Sequence, residues 1–382
     1  MGISTHKPPA RLLDVTRLVS RAGRQPTGVD RVELAYLDHF LAQPEPLWLL
    51  CKSRVGVWLV SAEGGAALSR AFADGIWTGS GAKAGRAVLR PYRTARAPRA
   101  GLRRMVARHL PKGSAYYNTG HSHLSDRSLR ALRAAGMRLS VLIHDTIPLD
   151  LPELQREGAV ERFRARFTAA CRHADRLIAN SAQTARDIAR HGRDLPPIVT
   201  APLGVTLPKA GAWPDALDPT RPVFLVLGTI EPRKNLGFLL DVWETLPAPR
   251  PQLAVIGARG WKSEEVFARL DRRPDGVIEL GPLPDAQVAA VMEEARALLF
   301  PSLAEGFGLP PVEAAARGVP VIAPDSPILR ETLGDFPVYQ SLTVPYLWTD
   351  MVQELTRTRR RCAPVAPPTW DAHFKVVLSS GW

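Results

Sequence analysis

Short apolar runs alternate with helical patterns along most of the chain, which is typical of βαβ units and of parallel sheets covered by helices. In the first half, the apolar runs predict strands at residues 11–15, 47–50, 57–60, 139–143 and 176–179. After a basic loop, Pro26-Thr27-Gly28-Val29-Asp30 leads into a helix. The pattern therefore predicts an α/β fold.

The second half shows the same alternation more clearly. It predicts strands at residues 223–227, 253–256, 277–280, 297–300 and 319–323, and helices at 236–246, 264–270, 285–295 and from Leu309 onwards. Between the halves, residues 208–222 contain four prolines and no apolar periodicity, which is typical of a linker. We therefore expect domains at 1–207 and 222–364, a linker at 208–221, and a tail at 365–382 whose amphipathic part can form a helix docking back on the first domain.

Composition supports two folded domains. The 382 residues exceed what one hydrophobic core usually serves, and 45% hydrophobic with 23% charged residues excludes general disorder. No apolar run is long enough to span a bilayer, and residues 1–10 lack the apolar run of a signal peptide. The cysteines, Cys51, Cys171 and Cys362, lie far apart without metal-binding spacing, so we expect a reducing cytoplasm.

Positive charge is concentrated in one stretch. The chain carries +13 overall, and from Gly75 to Ser125 it has ten lysines and arginines and no acid. Within residues 83–112, Leu102, Met105, Val106 and Leu110 form an apolar face beside arginines, which fits peripheral binding to an anionic membrane surface. A solvated basic face is an equal alternative. Nucleic acid is a weaker one because the stretch lacks interleaved aromatic residues.

The segment from Glu305 to Glu313, Glu-Gly-Phe-Gly-Leu-Pro-Pro-Val-Glu, follows a predicted strand and begins a helix. Glycines let a ligand approach the backbone, and prolines fit the first helical turn. The unpaired amides of such a turn attract an anion. A carboxylate in the helix can accept hydrogen bonds from vicinal hydroxyls such as those of a ribose. Alternatively, both glutamates only stabilise the helix N-terminus through its dipole.

A second motif, Gly228-Thr229-Ile230-Glu231-Pro232-Arg233-Lys234-Asn235, lies between a predicted strand and a helix. Arg233 and Lys234 can offer a guanidinium fork and a point charge to one diphosphate. The alternative is a pair of solvated surface cations. In the first half, His144 and Asp145 follow the run at 139–143, which places the histidine at the carboxyl end of a strand, where ligands bind in this fold class.

Together these segments resemble family four of the retaining glycosyltransferases. The resemblance rests on the motifs at 228–235 and 305–313, on Pro202-Leu203-Gly204-Val205, on Asn180-Ser181-Ala182-Gln183-Thr184 and on His144-Asp145-Thr146-Ile147-Pro148. It covers about residues 139–334 strongly and 14–36 more loosely. The resemblance implies the GT-B architecture, in which two Rossmann-like doubly wound domains face a cleft. Bacterial mannosyl- and rhamnosyltransferases of surface glycans are similar in the motifs near Gly28 and His144.

The resemblance also implies roles for individual residues. Arg233 and Lys234 would bind the donor diphosphate together with Gly308 and Leu309, and Glu313 would bind the ribose. The transferred sugar would contact Glu305, Phe307 and Gly308. His144 would face that sugar from the other domain, so Glu305 and His144 are the catalytic candidates. Gly28 would belong to an N-terminal loop near donor and acceptor.

No cofactor or metal is implied beyond the nucleotide diphosphate sugar as co-substrate, and the chain has no Asp-x-Asp motif. Fixed cations and helix amides would stabilise the departing diphosphate instead. We therefore expect a cytoplasmic, peripheral glycosyltransferase acting on a glycan or lipid-linked acceptor, with GDP-mannose favoured weakly as donor. The alternatives are a nucleic-acid-binding protein, an inactive scaffold, and a dinucleotide enzyme suggested by Gly79 and Gly81, whose context is wrong for that fingerprint. After Gly334 the sequence departs from the family.

Overall fold

A computed structural model describes residues 7–53, 55–122 and 124–379. The chain forms two compact units. The first unit comprises the described residues up to Leu149, Glu161–Leu203 and the residues from Trp370 onwards, and the second comprises Asp150–Val160 and Gly204–Thr369. Most of the residues used to judge a signal peptide, those before Lys7, lie outside the described part.

The first unit contains one mixed sheet. Its strands, within the described residues, are β1 Arg11–Asp14, β2 Leu47–Lys52, β3 Val57–Ser61, β4 Arg93–Ala97, β5 Ala115–Asn118, β6 Arg138–Ile143, β7 Arg176–Ala179 and β8 Ile198–Thr200. The strand order is β4-β3-β2-β1-β5-β6-β7-β8. All neighbours pair in parallel except β3, which is antiparallel to both β2 and β4. The order reverses direction between β1 and β5, as in a doubly wound sheet.

Helices connect these strands. They are α1 Thr16–Arg21, α2 Gly28–Leu41, α3 Ala62–Asp74, α4 Gly81–Leu89, α5 Leu102–His109, α6 Asp126–Ala134, α7 Ile147–Asp150, α8 Ala159–His173 and α9 Ala182–His191. Three strands, β4, β5 and β8, were not predicted. β4 carries Arg93 and Arg96 because it is an edge strand, where charged side chains prevent further pairing.

The arginine-rich stretch at 83–112 is folded rather than extended. It forms α4, β4 and α5, and the predicted apolar face of α5 lies in the hydrophobic core of the first unit. Leu102, Met105, Val106 and Leu110 are each at most 6% exposed, whereas Arg103 and Arg104 are exposed. This face packs against protein, so only the basic side of the helix faces outward. No helix in the described part of the chain is long and apolar enough to cross a membrane.

The second unit contains a parallel sheet. Its strands, within the described part, are β9 Val223–Leu227, β10 Gln252–Ile256, β11 Val277–Gly281, β12 Leu298–Leu299, β13 Val321–Ala323 and β14 Val338–Tyr339. The order is β11-β10-β9-β12-β13-β14. This is the Rossmann order 3-2-1-4-5-6, which reverses direction between its first and fourth strands, β9 and β12. The predicted second doubly wound domain is therefore confirmed.

The helices of the second unit cover this sheet. They are α10 Leu236–Thr245, α11 Glu264–Asp271, α12 Asp285–Glu294, α13 Leu309–Ala316, α14 Pro327–Leu333 and α15 Pro345–Arg357. The segment after Gly334, where the family resemblance ends, completes the domain with β14 and α15. Trp348 of α15 is fully buried, and its ring lies edge-on to Phe238 of α10 at 5.3 Å.

The last described element, α16 Trp370–Ser379, belongs to the first unit. Phe374 stacks on His39 of α2 with ring centroids 3.7 Å apart and meets Tyr36 edge-on at 4.9 Å. His373 is hydrogen-bonded to the Tyr36 hydroxyl at 2.8 Å. The chain thus passes through the second unit and returns to bury an aromatic cluster in the first.

Candidate active site

The two motifs of the second half meet at the point where the strand order reverses. β9 and β12 are neighbours in the sheet, paired at Leu225 and Leu298. The segment Gly228–Asn235 follows β9, and the loop that includes Glu305 follows β12. Because ligands of open α/β sheets bind at the carboxyl ends of strands beside such a reversal, this edge is the candidate site of the second unit.

Two glycines let the backbone turn tightly at this edge. Gly228 has φ +144° and Gly257, after β10, has φ +152°, a region that side chains rarely adopt. A Cβ on Gly257 would lie 1.9 Å from the Gly228 carbonyl oxygen. The turns after β9 and β10 therefore pack against each other only because Gly257 lacks a side chain.

Arg233 and Lys234 both bind Glu305. Lys234 Nζ lies 2.5 Å and Arg233 NH1 lies 2.8 Å from Glu305 Oε1, and the three side chains are only 12–21% exposed. Lys234 Nζ also lies 4.9 Å from the centre of the Phe300 ring. These cations are therefore not the solvated surface pair of the alternative reading.

Arg233 is further held by a residue to which the sequence assigned no role. Its Nε and NH2 donate to Glu231 Oε1 at 3.0 and 2.6 Å, and its NH1 donates to the carbonyl of Ala304 at 2.9 Å. Glu231 is 6% exposed. The sequence showed only that Glu231 lies in the same motif as Arg233. A carboxylate two residues from an arginine does not by itself predict that two guanidinium nitrogens bind it.

Burial and charge act in opposite directions on this cluster. Burial lowers the pKa of Lys234, although Glu305 opposes that shift. For Glu305 burial alone would raise the pKa, but Lys234 and Arg233 outweigh it and the pKa is lowered. Glu305 is therefore a carboxylate at neutral pH, and it compensates two cations that would otherwise be costly to bury.

The segment from Phe307 to Glu313 forms the start of α13. Gly308 precedes the helix with φ +85°, and Leu309 is its first residue. A Cβ on Gly308 would lie 3.2 Å from Leu329 Cδ2, so the left-handed turn and the packing both favour glycine. Phe307 and Glu313 are buried, at 4% and 5% exposure. Glu313 lies beyond the first helical residues, so its position is not explained by stabilisation of the N-terminus alone.

His144 lies at the carboxyl end of β6 in the first unit. Its Nε2 donates to the carbonyl oxygen of Thr119 at 2.6 Å, which leaves Nδ1 as the acceptor of the ring. Burial, together with the neighbouring His121 ring at 5.3 Å, lowers the pKa of His144 to about 3. Burial likewise lowers the pKa of His121 to about 4. Both imidazoles are therefore neutral under physiological conditions. His121 was missed because β5, which positions it, was not predicted.

Gly28 is the exposed first residue of α2, where the preceding loop leads into the helix. The helix begins here because Asp30 accepts a hydrogen bond from the backbone of Thr27 at 2.8 Å. Arg17 Nε binds the same Asp30 at 2.7 Å. The buried carboxylate of Asp30, rather than Gly28, therefore holds the start of this helix in place.

The carboxyl edge of the first sheet also holds a buried polar network that sequence reasoning missed. Lys52 Nζ lies 2.7 Å from Asp14 Oδ2, which also accepts from the Tyr116 hydroxyl at 2.8 Å. Asn118 Nδ2 donates to the same hydroxyl at 3.0 Å. In the described residues, no group of three or more His, Cys, Asp or Glu side chains is placed to hold a metal ion.

Comparison with known proteins supports the sequence resemblance. Residues 212–358 match the family described as glycosyl transferases group 1. The chain is 32% identical over 239 residues to the serotype-specific mannosyltransferase WbdA of Escherichia coli, a match that covers 56% of this chain and 29% of WbdA. It is 38% identical over 116 residues to the O-antigen chain mannosyltransferase B of Escherichia coli, covering 29% and 30% of the two chains. The chain thus spans less than a third of the length of these relatives.

Solved structures share the fold at low sequence identity. HepE of Anabaena, solved in complex with UDP and glucose, superposes with a TM-score of 0.59 at 17% identity and covers 97% of this chain and 95% of its own. TarM superposes with a TM-score of 0.53 at 15% identity, covering 74% and 55%. The predicted GT-B fold class is therefore confirmed. The predicted resemblance is confirmed as well: this chain is similar to glycosyltransferases of polysaccharide synthesis, and its residues 212–358 match the family described as glycosyl transferases group 1.

Proposed function

We propose that the protein transfers a sugar, with retention of anomeric configuration, from a nucleotide diphosphate sugar to a glycan or lipid-linked glycan. The observation that carries this proposal is the pair Arg233 and Lys234, partly buried at the β9–β12 reversal and bound to Glu305. Two fixed cations beside the N-terminus of α13 match the charge of a diphosphate.

The donor diphosphate would compete with Glu305 for Lys234 and Arg233. On this proposal the phosphate oxygens take the place of Glu305 Oε1, which in the structure contacts both Lys234 and Arg233. Glu305 then becomes available to a sugar hydroxyl, and Glu313 binds the ribose hydroxyls. Phe307, Gly308 and Leu309 line the turn where sugar and phosphate would meet.

Catalysis would come from charge placed before the reaction begins. The bond between the anomeric carbon and the phosphate oxygen breaks, and a bond from that carbon to the acceptor oxygen forms on the same face. The acceptor proton passes to the departing phosphate, whose negative charge Arg233 and Lys234 stabilise. His144, with its Nδ1 as an acceptor, would receive a hydrogen bond from the sugar. This route uses no metal and no protein nucleophile.

The relatives' names favour mannose as the sugar. Both WbdA and mannosyltransferase B are named as mannosyltransferases, and the latter as acting on O-antigen chains. GDP-mannose is therefore the proposed donor, and a surface polysaccharide or its lipid-linked precursor is the proposed acceptor. We place the reaction in the cytoplasm at the inner membrane face, where the basic side of residues 83–112 would meet anionic lipid.

Thermal shift measurements with UDP, GDP, ADP and dTDP test the donor site, because a ligand that binds only the folded state stabilises it by mass action. We expect GDP to give the largest shift. Lys234→Ala should remove most of it, whereas Lys209→Ala, an exposed cation of the same unit, should not. Glu313→Ala should mainly reduce discrimination between ribose and deoxyribose nucleotides. Equal shifts in the Lys234 variant and the parent would contradict the site.

Product analysis tests the reaction itself. Incubation with GDP-mannose and a lipid-linked glycan should yield an α-linked mannoside by NMR, with the activity unchanged by EDTA. A glycosyl adduct trapped on Glu305 would contradict the proposed same-face mechanism. An inactive scaffold would show no nucleotide-dependent shift and no product.

A further inference from the structure

We propose that a cavity in the first unit binds a phosphate group carried by the acceptor. The cavity has a volume of about 160 Å³, and neither His144 nor Gly28 is among its lining residues. Its polar lining consists of Lys52, Arg99, Arg127, Ser125 and Ser128. The proposal rests on the proposed function, since it names the chemical class of that enzyme's acceptor.

The cavity lies at the edge of the sheet where ligands bind in doubly wound folds. Lys52 is the last residue of β2, and the serines belong to the start of α6, which follows β5. The reversal of strand order between β1 and β5 lies beside these two strands. The position is thus the first-unit equivalent of the edge that carries Arg233 and Lys234 in the second.

The charge of the lining is positive and includes no acid. Lys52 is compensated by Asp14, so its contribution is that of a buried hydrogen-bond donor. Arg99 and Arg127 add guanidinium groups at the exposed rim. Arg127 has no acidic partner within the residues that the structure describes. Arg99 Nε donates to the carbonyl oxygen of Ser53 at 2.9 Å, which holds this guanidinium group at the rim. Two guanidinium groups beside one small cavity match the charge of a phosphate.

Neighbouring carboxylate charge is directed elsewhere. Asp126, the first residue of α6, pairs with Arg130, Arg172 and His173. The hydrogen bond from His173, followed by that from Arg130, lowers the pKa of Asp126 to about 2. Asp126, the carboxylate closest in sequence to Arg127, is therefore paired with cations that do not line the cavity.

Two helices begin at the cavity wall. Leu102, which lines it, is the first residue of α5, and Ser125 is the N-cap of α6. Ser125 Oγ accepts from the Ser128 amide at 3.3 Å, so the amides of the two residues between them have no intrahelical partner. The N-terminus of α6 adds partial positive charge to the cavity, whereas the first amide of α5, that of Leu102, already donates to the Arg99 carbonyl. The arginine-rich stretch forms one side of the cavity through Arg99 and Leu102. Phosphate binding would therefore explain part of the positive charge of that stretch.

The double substitution Arg99→Gln and Arg127→Gln removes two positive charges from the cavity lining and tests the site. Both positions are exposed, so the variant should fold. The matched control is Arg103→Gln with Arg104→Gln, which removes equal charge from exposed positions of α5 outside the cavity lining. Binding of inorganic phosphate is measured by calorimetry in a Lys234→Ala background, so that the donor site does not contribute. We expect about tenfold weaker binding or more in the cavity variant and an unchanged Kd in the control.

Two further measurements identify the source of the phosphate. If the group belongs to a soluble or lipid-linked acceptor, the cavity variant raises KM for that acceptor and leaves the affinity for GDP unchanged. If it belongs to bulk lipid headgroups, the cavity variant loses binding to phosphatidylglycerol vesicles more than the control does. Equal losses in cavity and control variants in every assay would overturn the site, because net charge would then explain them. If the parent protein binds inorganic phosphate but no nucleotide, that result would contradict only the proposed function.

Discussion

Lys234 donates a hydrogen bond from Nζ to Glu305 Oε1 over 2.5 Å, joining two residues that are 71 positions apart in the chain. The contact connects the turn after β9 to the loop after β12, on either side of the reversal in strand order. It keeps two buried cations electrically compensated, and it places them where an anion of higher charge would compete for them. The same contact is thus structural and, on our proposal, part of donor binding.

Glu305→Gln should separate these two effects. Removing the carboxylate charge leaves Lys234 uncompensated and Arg233 paired with Glu231 alone, so the variant should unfold at lower denaturant concentration while binding GDP more tightly. Turnover should fall because the sugar loses a contact. Denaturation midpoints, calorimetry and product formation measure the three quantities. The control is Glu279→Gln, which removes a carboxylate paired with Arg259 on the surface of the same unit. Weaker GDP binding in the Glu305 variant would contradict the competition.

Stability should fall as the pH drops from about 6.5 towards 4. Burial, the largest cause in each case, lowers the pKa of His144 to about 3 and those of His121 and His373 to about 4. In that interval the unfolded chain binds protons that the folded protein does not, so protonation favours unfolding. The contribution of these neutral histidines to the free energy of unfolding is fully present above pH 6.5 and is lost progressively as the pH falls towards 4.

Urea midpoints at pH 7 and pH 5 measure this dependence. His373→Gln should reduce the difference between the two midpoints, although its loss of the Tyr36 hydrogen bond lowers both. A His373 variant with the parent's full pH dependence would show that another group is responsible.

Gly257→Ala should destabilise the second unit by about 3 kcal/mol or more, because a Cβ at 1.9 Å from the Gly228 carbonyl forces the turns after β9 and β10 apart. Gly237→Ala in α10 is the matched control, since its Cβ would meet Val266 at an ordinary 3.5 Å. That substitution should be neutral or stabilising by about 0.5–1 kcal/mol. Denaturant titration followed by tryptophan fluorescence reports both. A tolerated alanine at position 257 would contradict the close approach of the turns.

Phe374→Ala should destabilise the first unit by about 3–5 kcal/mol, since the ring is 2% exposed and contacts His39 and Tyr36. Val376→Ala, on the same helix at 38% exposure, should cost little. Hydrogen exchange of α2 amides distinguishes the two, because loss of the aromatic packing should increase exchange there. Unchanged exchange in the Phe374 variant would show that α16 contributes little to this core.

Local sequence predicted much of the second unit because its strands are nearly continuous apolar runs. The predicted strand at 223–227 and the helix start at Leu309 agree with β9 and α13. Two of the unpredicted strands of the first unit have sequences unlike that of a buried strand. β4 is rich in arginine because it lies at the edge, and β8 has only three residues. Their formation depends on neighbours that are distant in sequence.

The sequence by itself determined the fold class and the residue types of the candidate site, since glycines at turns and paired charges after strands have local physical causes. Only the tertiary structure decided that Glu305 binds both cations, that Glu231 holds Arg233, and that the apolar side of α5 packs into protein. The reason is that periodicity reports which face of an element is apolar but not what covers it. Likewise, a motif fixes where a charge lies along the chain, whereas its partner is fixed by the order of the strands.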